Sequence, residues 1–155
     1  KAASLMAYEK LYIAFLIYFN RDRDYFECHE VLEELWLARG SDPLYKGLLQ
    51  VAVGLYHFRN GNVRGGMILL SRAAAKLKGY PEFTLGINLG KLVSESRDYA
   101  VRLGDFKERP FSYYDLNIEI VDEELAAEVE TASSSIKPNI PQRRGPQRPQ
   151  TSYPK

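Results

Sequence analysis

The segment YFECHEVLEELW, residues 25–36, concentrates the side chains that could do chemistry. On a helix each residue advances by about 100°, so His29 and Glu33 lie one turn apart on one face. Glu30 flanks that face and Trp36 borders it. An imidazole and a carboxylate at this spacing can bind one ion, as in the zinc motif His-Glu-x-x-His, although Glu33 stands where that motif has its second histidine. The segment therefore predicts a candidate metal site.

A second set of polar side chains lies on the following helix. Gln50 and His57 interrupt the apolar segment LYKGLLQVAVGLYHF, and they share helical spacing with Gly47 and Gly54. Burial of either polar side chain without a partner would cost roughly 1–3 kcal/mol. Because glycine lets another backbone approach closely, we expect this face to meet the polar face of the preceding helix. The chain's two histidines would then share one site.

Together these residues predict the chemistry of the site. His29, Glu33 and His57 are the expected metal ligands, and Glu30 is the candidate general base. A divalent ion such as zinc, with one open position, could activate water for hydrolysis of an unidentified small molecule. The residues expected to line the binding site are Trp36, Gln50, Asn62 and Arg64.

The same side chains could instead close a buried hydrogen-bond network without catalysis. In that alternative His29 donates to Glu33, Glu30 forms an ion pair with Arg64, and the polar groups of the third helix bridge between them. Such a network would fix the register of the helices in a structural or protein-interaction domain. The spacing of the residues leaves both alternatives open. Cys28 falls on the apolar stripe and is expected to be a core residue.

The elements that position these residues are predicted to be helices. Apolar spacing and capping residues indicate an all-α fold, a multihelical bundle of about five helices. Asp24, Asp42 and Asn62 are the expected N-caps of the second, third and fourth helices. The predicted ranges are about Ser4–Phe19, Tyr25–Arg39, Pro43 to the turn at 60–62, Asn62 to Lys78, and Gly86–Leu103.

The chain changes character after the bundle, predicted as residues 1–104. Residues 105–130 are expected to form an arm, in which Leu116, Ile118 and Ile120 alternate with polar residues and a short helix follows. The extended part would either lie on the bundle or pair with another copy and so form a homodimer. Residues 131–155 form a basic, proline-rich tail that is expected to be a linker or a disordered arm.

Composition narrows the function classes. A hydrophobic content of 45% and a charged content of 26% are typical of a soluble globular domain. The single cysteine excludes an internal disulfide and favours the cytoplasm, or an organellar stroma if a targeting segment has been removed. The apolar run LYIAFLIYF is too short to span a membrane, so no membrane partner is expected. The tail has a net charge of +5 and residues 1–130 have a net charge of −4, so the remaining chain is mildly acidic, which disfavours nucleic-acid binding.

These residues resemble the helical family known as domain of unknown function 309. The resemblance rests on Phe19-Asn20, YFECHEVLEELW, the Gly47/Gln50/His57 helix and the segment GNVRGG, and it covers roughly residues 11–103. It implies a compact all-helical domain and a metal-dependent hydrolase activity. The family's polar motif falls on Glu27, His29, Glu30, Glu33, Trp36, Gln50, His57, Asn62 and Arg64. The family often has alanine where Cys28 and Gly66 stand, and neither position is a proposed ligand.

Overall fold

The computed structural model describes residues 8–138, and within them the fold is all-α, as predicted. Six α-helices occur in this range, together with one short antiparallel hairpin. The start of the first helix at Ser4 and the tail beyond residue 138 lie outside the described residues. The elements are α1 Lys10–Ile17, α2 Tyr25–Ala38, α3 Pro43–Arg59, α4 Val63–Leu77, β1 Phe83–Thr84, β2 Ile87–Asn88, α5 Leu89–Gly104 and α6 Glu123–Ser133.

Side-chain caps begin the three helices that carry the candidate site. Asp24, Asp42 and Asn62 each accept a hydrogen bond from a backbone N–H in the first helical turn, at 3.1, 2.9 and 2.8 Å. Each cap satisfies one of the N–H groups that a helix start leaves without an intrahelical partner. The three predicted N-caps are therefore confirmed.

The connection between α1 and α2 differs from the expected simple break at Asn20. The chain continues from α1 into a π-helical turn, Tyr18–Asp22, and Arg23 then adopts a left-handed conformation with φ 55°. The backbone N–H of Asp24 donates to the carbonyl of Tyr18 at 2.9 Å. This turn reverses the chain tightly, so α2 packs back against α1.

Helix α3 lies between α2 and α4, and 13 of its 17 residues are buried, which agrees with its apolar composition on nearly all sides. Its glycines, however, do not face α2 as expected. A Cβ atom on Gly47 would lie 2.5 Å from Leu77 Cδ2, and one on Gly54 would lie 2.8 Å from Leu70 Cγ. Both leucines belong to α4. Because glycine has no side chain, these two leucines of α4 can pack directly against the backbone of α3.

The extended part of the arm, residues 111–120, lies on the bundle. Leu116 and Ile118 are buried, whereas the intervening Asn117 is exposed, as the predicted alternation requires. Ile120 forms an isolated antiparallel bridge with Ile87 of β2. The hairpin takes up the residues before α5, which begins at Leu89 rather than at the predicted Gly86. Of the two predicted alternatives for the arm, the structure shows packing against its own bundle.

Helix α6 is the short helix that was predicted after the extended segment. Asp122 caps it by accepting from Glu124 N at 3.3 Å, and Leu125 is fully buried near Gly86. The helix also packs against α1. Across residues 8–138, none of the helices combines the length and the apolar character that crossing a bilayer requires.

Candidate functional site

The centre of the candidate site is the second turn of α2. The Asp24 cap fixes the start of the helix, which places His29 toward the interior, where the residue is only 2% exposed. The side chains of Glu30 and Glu33 extend from the same turns to the surface, and their side chains are 38% and 47% exposed. We call His29, Glu30 and Glu33 the His29 cluster. It joins a buried imidazole to two carboxylates that water can reach.

Each nitrogen of the His29 ring contacts a different carboxylate. Nε2 lies 3.2 Å from Oε1 of Glu33, and Nδ1 lies 3.5 Å from Oε2 of Glu30, which is the long limit of a hydrogen bond. Because the two nitrogens point in different directions, a single ion could share the ring with only one of the two carboxylates. The predicted partnership of His29 with Glu33 across one helical turn is therefore present.

Burial controls the charge of this imidazole. Desolvation lowers the pKa of His29 below its ordinary value of 6.5, although the carboxylates of Glu33 and Glu30 act in the opposite direction. The positive charge of Lys46 adds to the lowering. The ring is therefore neutral at pH 7, with one N–H and one lone pair, which is the form that can bind a metal ion.

Lys46 of α3 is a member of this region that the sequence argument missed. Its Nζ lies 4.9 Å from the centre of the Trp36 ring, so it covers one face of the indole as a cation–π contact. Its spacing offered a clue, since Lys46 precedes Gln50 and His57 by four and eleven residues on the same side of α3. Trp36 is therefore half-buried, with Lys46 over one face of its ring. In the sequence it follows Glu33 of the His29 cluster by three residues.

His57 belongs to a second local group, at the turn between α3 and α4. Its Nδ1 lies 3.4 Å from Nδ2 of Asn62, whose backbone N–H donates to the His57 carbonyl at 2.8 Å. The Oδ1 of Asn62 accepts from the N–H of Gly65, so Asn62 serves as the cap of α4. The structure therefore brings His57 and Asn62 together as neighbours in a helix connection.

Two predicted contacts of the site are wrong. Arg64 is exposed and forms no ion pair with Glu30 or Glu33 within the described residues; those carboxylates approach His29 instead. Gln50 is buried, but its Oε1 has no hydrogen-bond partner in that part of the chain. The glycine face of α3, which was expected to meet the polar face of α2, packs on α4 instead.

The donor groups limit what kind of ion the region could hold. Within residues 8–138, no three side chains of His, Cys, Asp or Glu are grouped so as to hold a metal ion. His29 Nε2 and Glu33 supply two ligands, fewer than the three of a usual catalytic zinc site. Hard divalent ions are often bound by one or two carboxylates, with water in the remaining positions. The donor set therefore fits an open, water-rich site better than a closed structural centre.

Three surface grooves of the described residues were compared with the position of the His29 cluster. A groove of about 580 Å³ runs between α1 and α6, and one of about 270 Å³ runs between α4 and α5. A third, of about 320 Å³, lies where α5 meets the arm. None of these three grooves is lined by a residue of the His29 cluster.

The residues that form the candidate site lie in a segment that matches a known protein family. Residues 12–69 match the model described as a domain of unknown function (DUF309). This segment is therefore similar to the DUF309 family over somewhat more than a third of the chain. The match runs from α1 into α4, so it contains the His29 cluster and every other predicted site residue, and it ends before α5. The resemblance seen in the sequence is confirmed, over a shorter range than expected.

Two curated bacterial proteins are similar to the chain. The uncharacterized protein YpuF of Bacillus subtilis strain 168 is 39% identical over 94 residues, which cover 56% of this chain and 52% of that protein. An uncharacterized protein of Aquifex aeolicus strain VF5 is 32% identical over 72 residues, covering 44% of this chain and 22% of that protein. The chain thus spans about half the length of the first relative and about a fifth of the second. No solved structure matches it significantly.

Proposed function

We propose that the chain binds a divalent cation at the His29 cluster and acts as a metal-dependent hydrolase on a small molecule. One observation carries the cation site: Nε2 of a buried, neutral imidazole lies 3.2 Å from the half-exposed carboxylate of Glu33. The hydrolase activity rests on the family resemblance. Both relatives are uncharacterized proteins, so their names give no activity.

The three residues of the cluster have different roles in this proposal. His29 Nε2 and Glu33 are the protein ligands of the ion. Glu30, the candidate base in the sequence, approaches Nδ1 at 3.5 Å and is placed to orient the ring, as carboxylates commonly do for metal-binding histidines. An ion bound there supplies a Lewis acid and a bound water of lowered pKa.

The remaining predicted residues serve the surroundings of the site. Lys46, over Trp36, adds a positive charge near the cluster, which favours a substrate with an anionic group. His57 and Asn62 hold the α3–α4 connection, and His57 is proposed as a ligand only if that connection rearranges. Gln50 and Arg64 are proposed as binding residues for substrate rather than for the ion.

Calorimetric titration of tag-free protein with Zn²⁺ and Mn²⁺ tests the proposal. We expect the parent protein to bind at least one of the two ions. His29→Gln and Glu33→Gln are expected to weaken binding by at least about tenfold, in line with the loss of a ligand or its support. Glu34→Gln is the matched control, because Glu34 is exposed on the same helix and lies outside the cluster. The ion that binds is then added to a panel of model esters to measure hydrolysis.

Two results would contradict the cation site. One is the absence of binding by the parent protein; the other is equal binding by the parent and Glu33→Gln. His57→Gln is included as a separate variant. A loss of affinity in it as large as that of Glu33→Gln would add His57 to the ligands.

A structural or protein-interaction domain is the second candidate function. It is favoured by the 2% exposure of His29 and by the approach of a carboxylate of the same helix to within 3.5 Å of each ring nitrogen. Under this alternative, His29→Gln lowers the melting temperature of the protein, while neither ion raises the melting temperature of the parent. A metal-induced rise that is lost in Glu33→Gln would reject it.

A further inference from the structure

The apolar groove between α1 and α6 has no role in the proposed function. It encloses about 580 Å³ and is lined on the α1 side by Lys10 and Ile13. The α6 side contributes small or apolar residues along its length. Those that line the groove are Ala127, Thr131, Ala132, Ser135 and Ile136. Small side chains on the flank of a helix let another helix approach closely.

The dimensions of the groove suit a helix. Its lining residues on the α6 side begin at Glu124 and continue past the end of α6 to Ile136, and the helical part from Glu124 to Ser133 is about 14 Å long at 1.5 Å per residue. A partner helix of about three turns would fill that length. Helices bind such grooves by inserting apolar side chains spaced three and four residues apart.

The charged residues that line the α1–α6 groove indicate which kind of helix could bind there. Glu124 and Glu128 line the groove four residues apart, and no basic residue lies between Asp122 and Ile136. Lys10 is the single cation among the lining residues. Arg21, near the far end of α6, is engaged with Asp22 and with the carbonyls of Ser133 and Ile136. The acidic charge on the α6 rim therefore comes from Glu124 and Glu128 in the first two turns, and the lining residues beyond them are uncharged.

We propose that the α1–α6 groove is a docking site for a basic amphipathic helix of a partner protein. Leucine-type side chains of the partner would enter between Ile13 and the alanines of α6. Its lysine or arginine side chains would face Glu124 and Glu128. Complementary charge would speed association and select this orientation.

A binding assay with synthetic helices tests the docking site. The probe is a fluorescent peptide of about 16 residues, about 24 Å as a helix, with leucines at helical spacing and lysines on the remaining face. A scrambled peptide of the same composition and a version with glutamate in place of lysine are the negative probes. Fluorescence anisotropy with the full chain is recorded at low and at high salt.

Matched variants of α6 locate the binding. Ala127→Trp fills the groove and is expected to weaken binding of the basic peptide by at least about tenfold, the effect of losing one buried leucine anchor. Ala126→Trp, on the adjacent exposed residue outside the groove, should bind as the parent does. Combined Glu124→Gln and Glu128→Gln should weaken binding and flatten its salt dependence, while Glu130→Gln should change neither. Circular dichroism confirms that each variant is folded.

Several outcomes would overturn the proposal. Equal binding of the scrambled or glutamate peptide, or equal loss in the Ala126→Trp and Ala127→Trp variants, would show that no specific groove is used. Competition by a peptide of residues 139–155 that exceeds the basic helix would assign the groove to the chain's own tail. A dimer that Ala127→Trp dissociates would assign it to a second copy.

Discussion

The His29 cluster and the attachment of the arm are both polar arrangements, yet they are built over different distances in the sequence. The cluster lies within two turns of α2, and its contacts join residues one and four positions apart. The arm is held by Asn20, whose Nδ2 donates to the Ile118 carbonyl and whose Oδ1 accepts from the Ile118 N–H, both at 2.9 Å. Those two residues are 98 positions apart.

This difference explains what each region does for the molecule. The carboxylates of the cluster are about half exposed, so water competes with their contacts and little stability depends on them. The arm contacts involve buried backbone, since Ile118 is 3% exposed. Loss of such a partner leaves peptide groups unsatisfied. We therefore expect substitutions in the arm attachment to affect stability, and substitutions in the cluster to affect protonation and binding.

The largest effect is expected from Asn20→Ala. It removes both bonds to Ile118 and should lower the free energy of unfolding by about 2–4 kcal/mol, because two buried backbone groups lose their partners. Denaturant-induced unfolding measures the change. Asn60→Ala is the control, since exposed Asn60 bonds only the Tyr56 carbonyl, one turn back in α3. A change below about 1 kcal/mol in both variants would show that the arm adds little to stability.

A second attachment of the arm is tested by Tyr99→Phe. The Tyr99 hydroxyl donates to the Tyr114 carbonyl at 2.9 Å and accepts from its N–H at 3.1 Å, while the two rings stack at 4.2 Å. The substitution keeps the ring and should cost about 1–2 kcal/mol in unfolding free energy. Tyr80→Phe provides the comparison, because the Tyr80 hydroxyl donates to Asp42 Oδ1 over a longer distance of 3.5 Å. Equal stability of the two variants would contradict a role for the Tyr99 bonds.

The burial of His29 should make the free energy of unfolding depend on pH. Because the pKa of His29 is lowered in the folded state, the unfolded state binds the proton more tightly. Stability from this residue is therefore complete above about pH 6.5 and falls as the pH drops below it. As the pH is lowered, we expect the free energy of unfolding to fall less in His29→Gln than in the parent. In His57→Gln the part of this fall that is due to His29 should remain. Identical pH profiles of His29→Gln and the parent would rule out this linkage.

The smallest effects are expected from the charges around the ring. Glu33→Gln should lower the pKa of His29 further, and Lys46→Gln should raise it, because Glu33 raises that pKa and Lys46 lowers it. Nuclear magnetic resonance titration of the imidazole measures both shifts. The unfolding free energy should change by less than about 0.5 kcal/mol in each variant. Glu34→Gln should leave the imidazole titration unaltered, and a shift as large as that of Glu33→Gln would count against the local assignment.

Features that depend on neighbouring residues could be predicted from the sequence. The caps at Asp24, Asp42 and Asn62 were read from single side chains, and the structure confirms them. The proximity of His29 to Glu33 follows from the pitch of one helix. The burial of α3 follows from its apolar composition on all sides. Each of these requires only the geometry of a single element.

Features that depend on how elements pack were predicted less well. The glycines of α3 signalled a close helix approach, but they did not identify α4 as the helix that approaches. The ion pair of Arg64 was expected because buried carboxylates need partners, but the side chains of Glu30 and Glu33 are 38% and 47% exposed. Lys46 and Arg23 were overlooked because charged residues have few sequence constraints. Only the fold shows that Lys46 covers Trp36 and that Arg23 bonds the Leu116 carbonyl.

The sequence by itself determined the helical fold, its caps and the His29 cluster, because helical periodicity fixes contacts within about four residues. The tertiary structure decided which faces meet: α3 against α4, the arm on the bundle, and α6 beside α1. Several helix pairings can satisfy the same apolar pattern. The choice among them depends on the fit of particular side chains, such as Leu70 and Leu77 over the two glycines of α3.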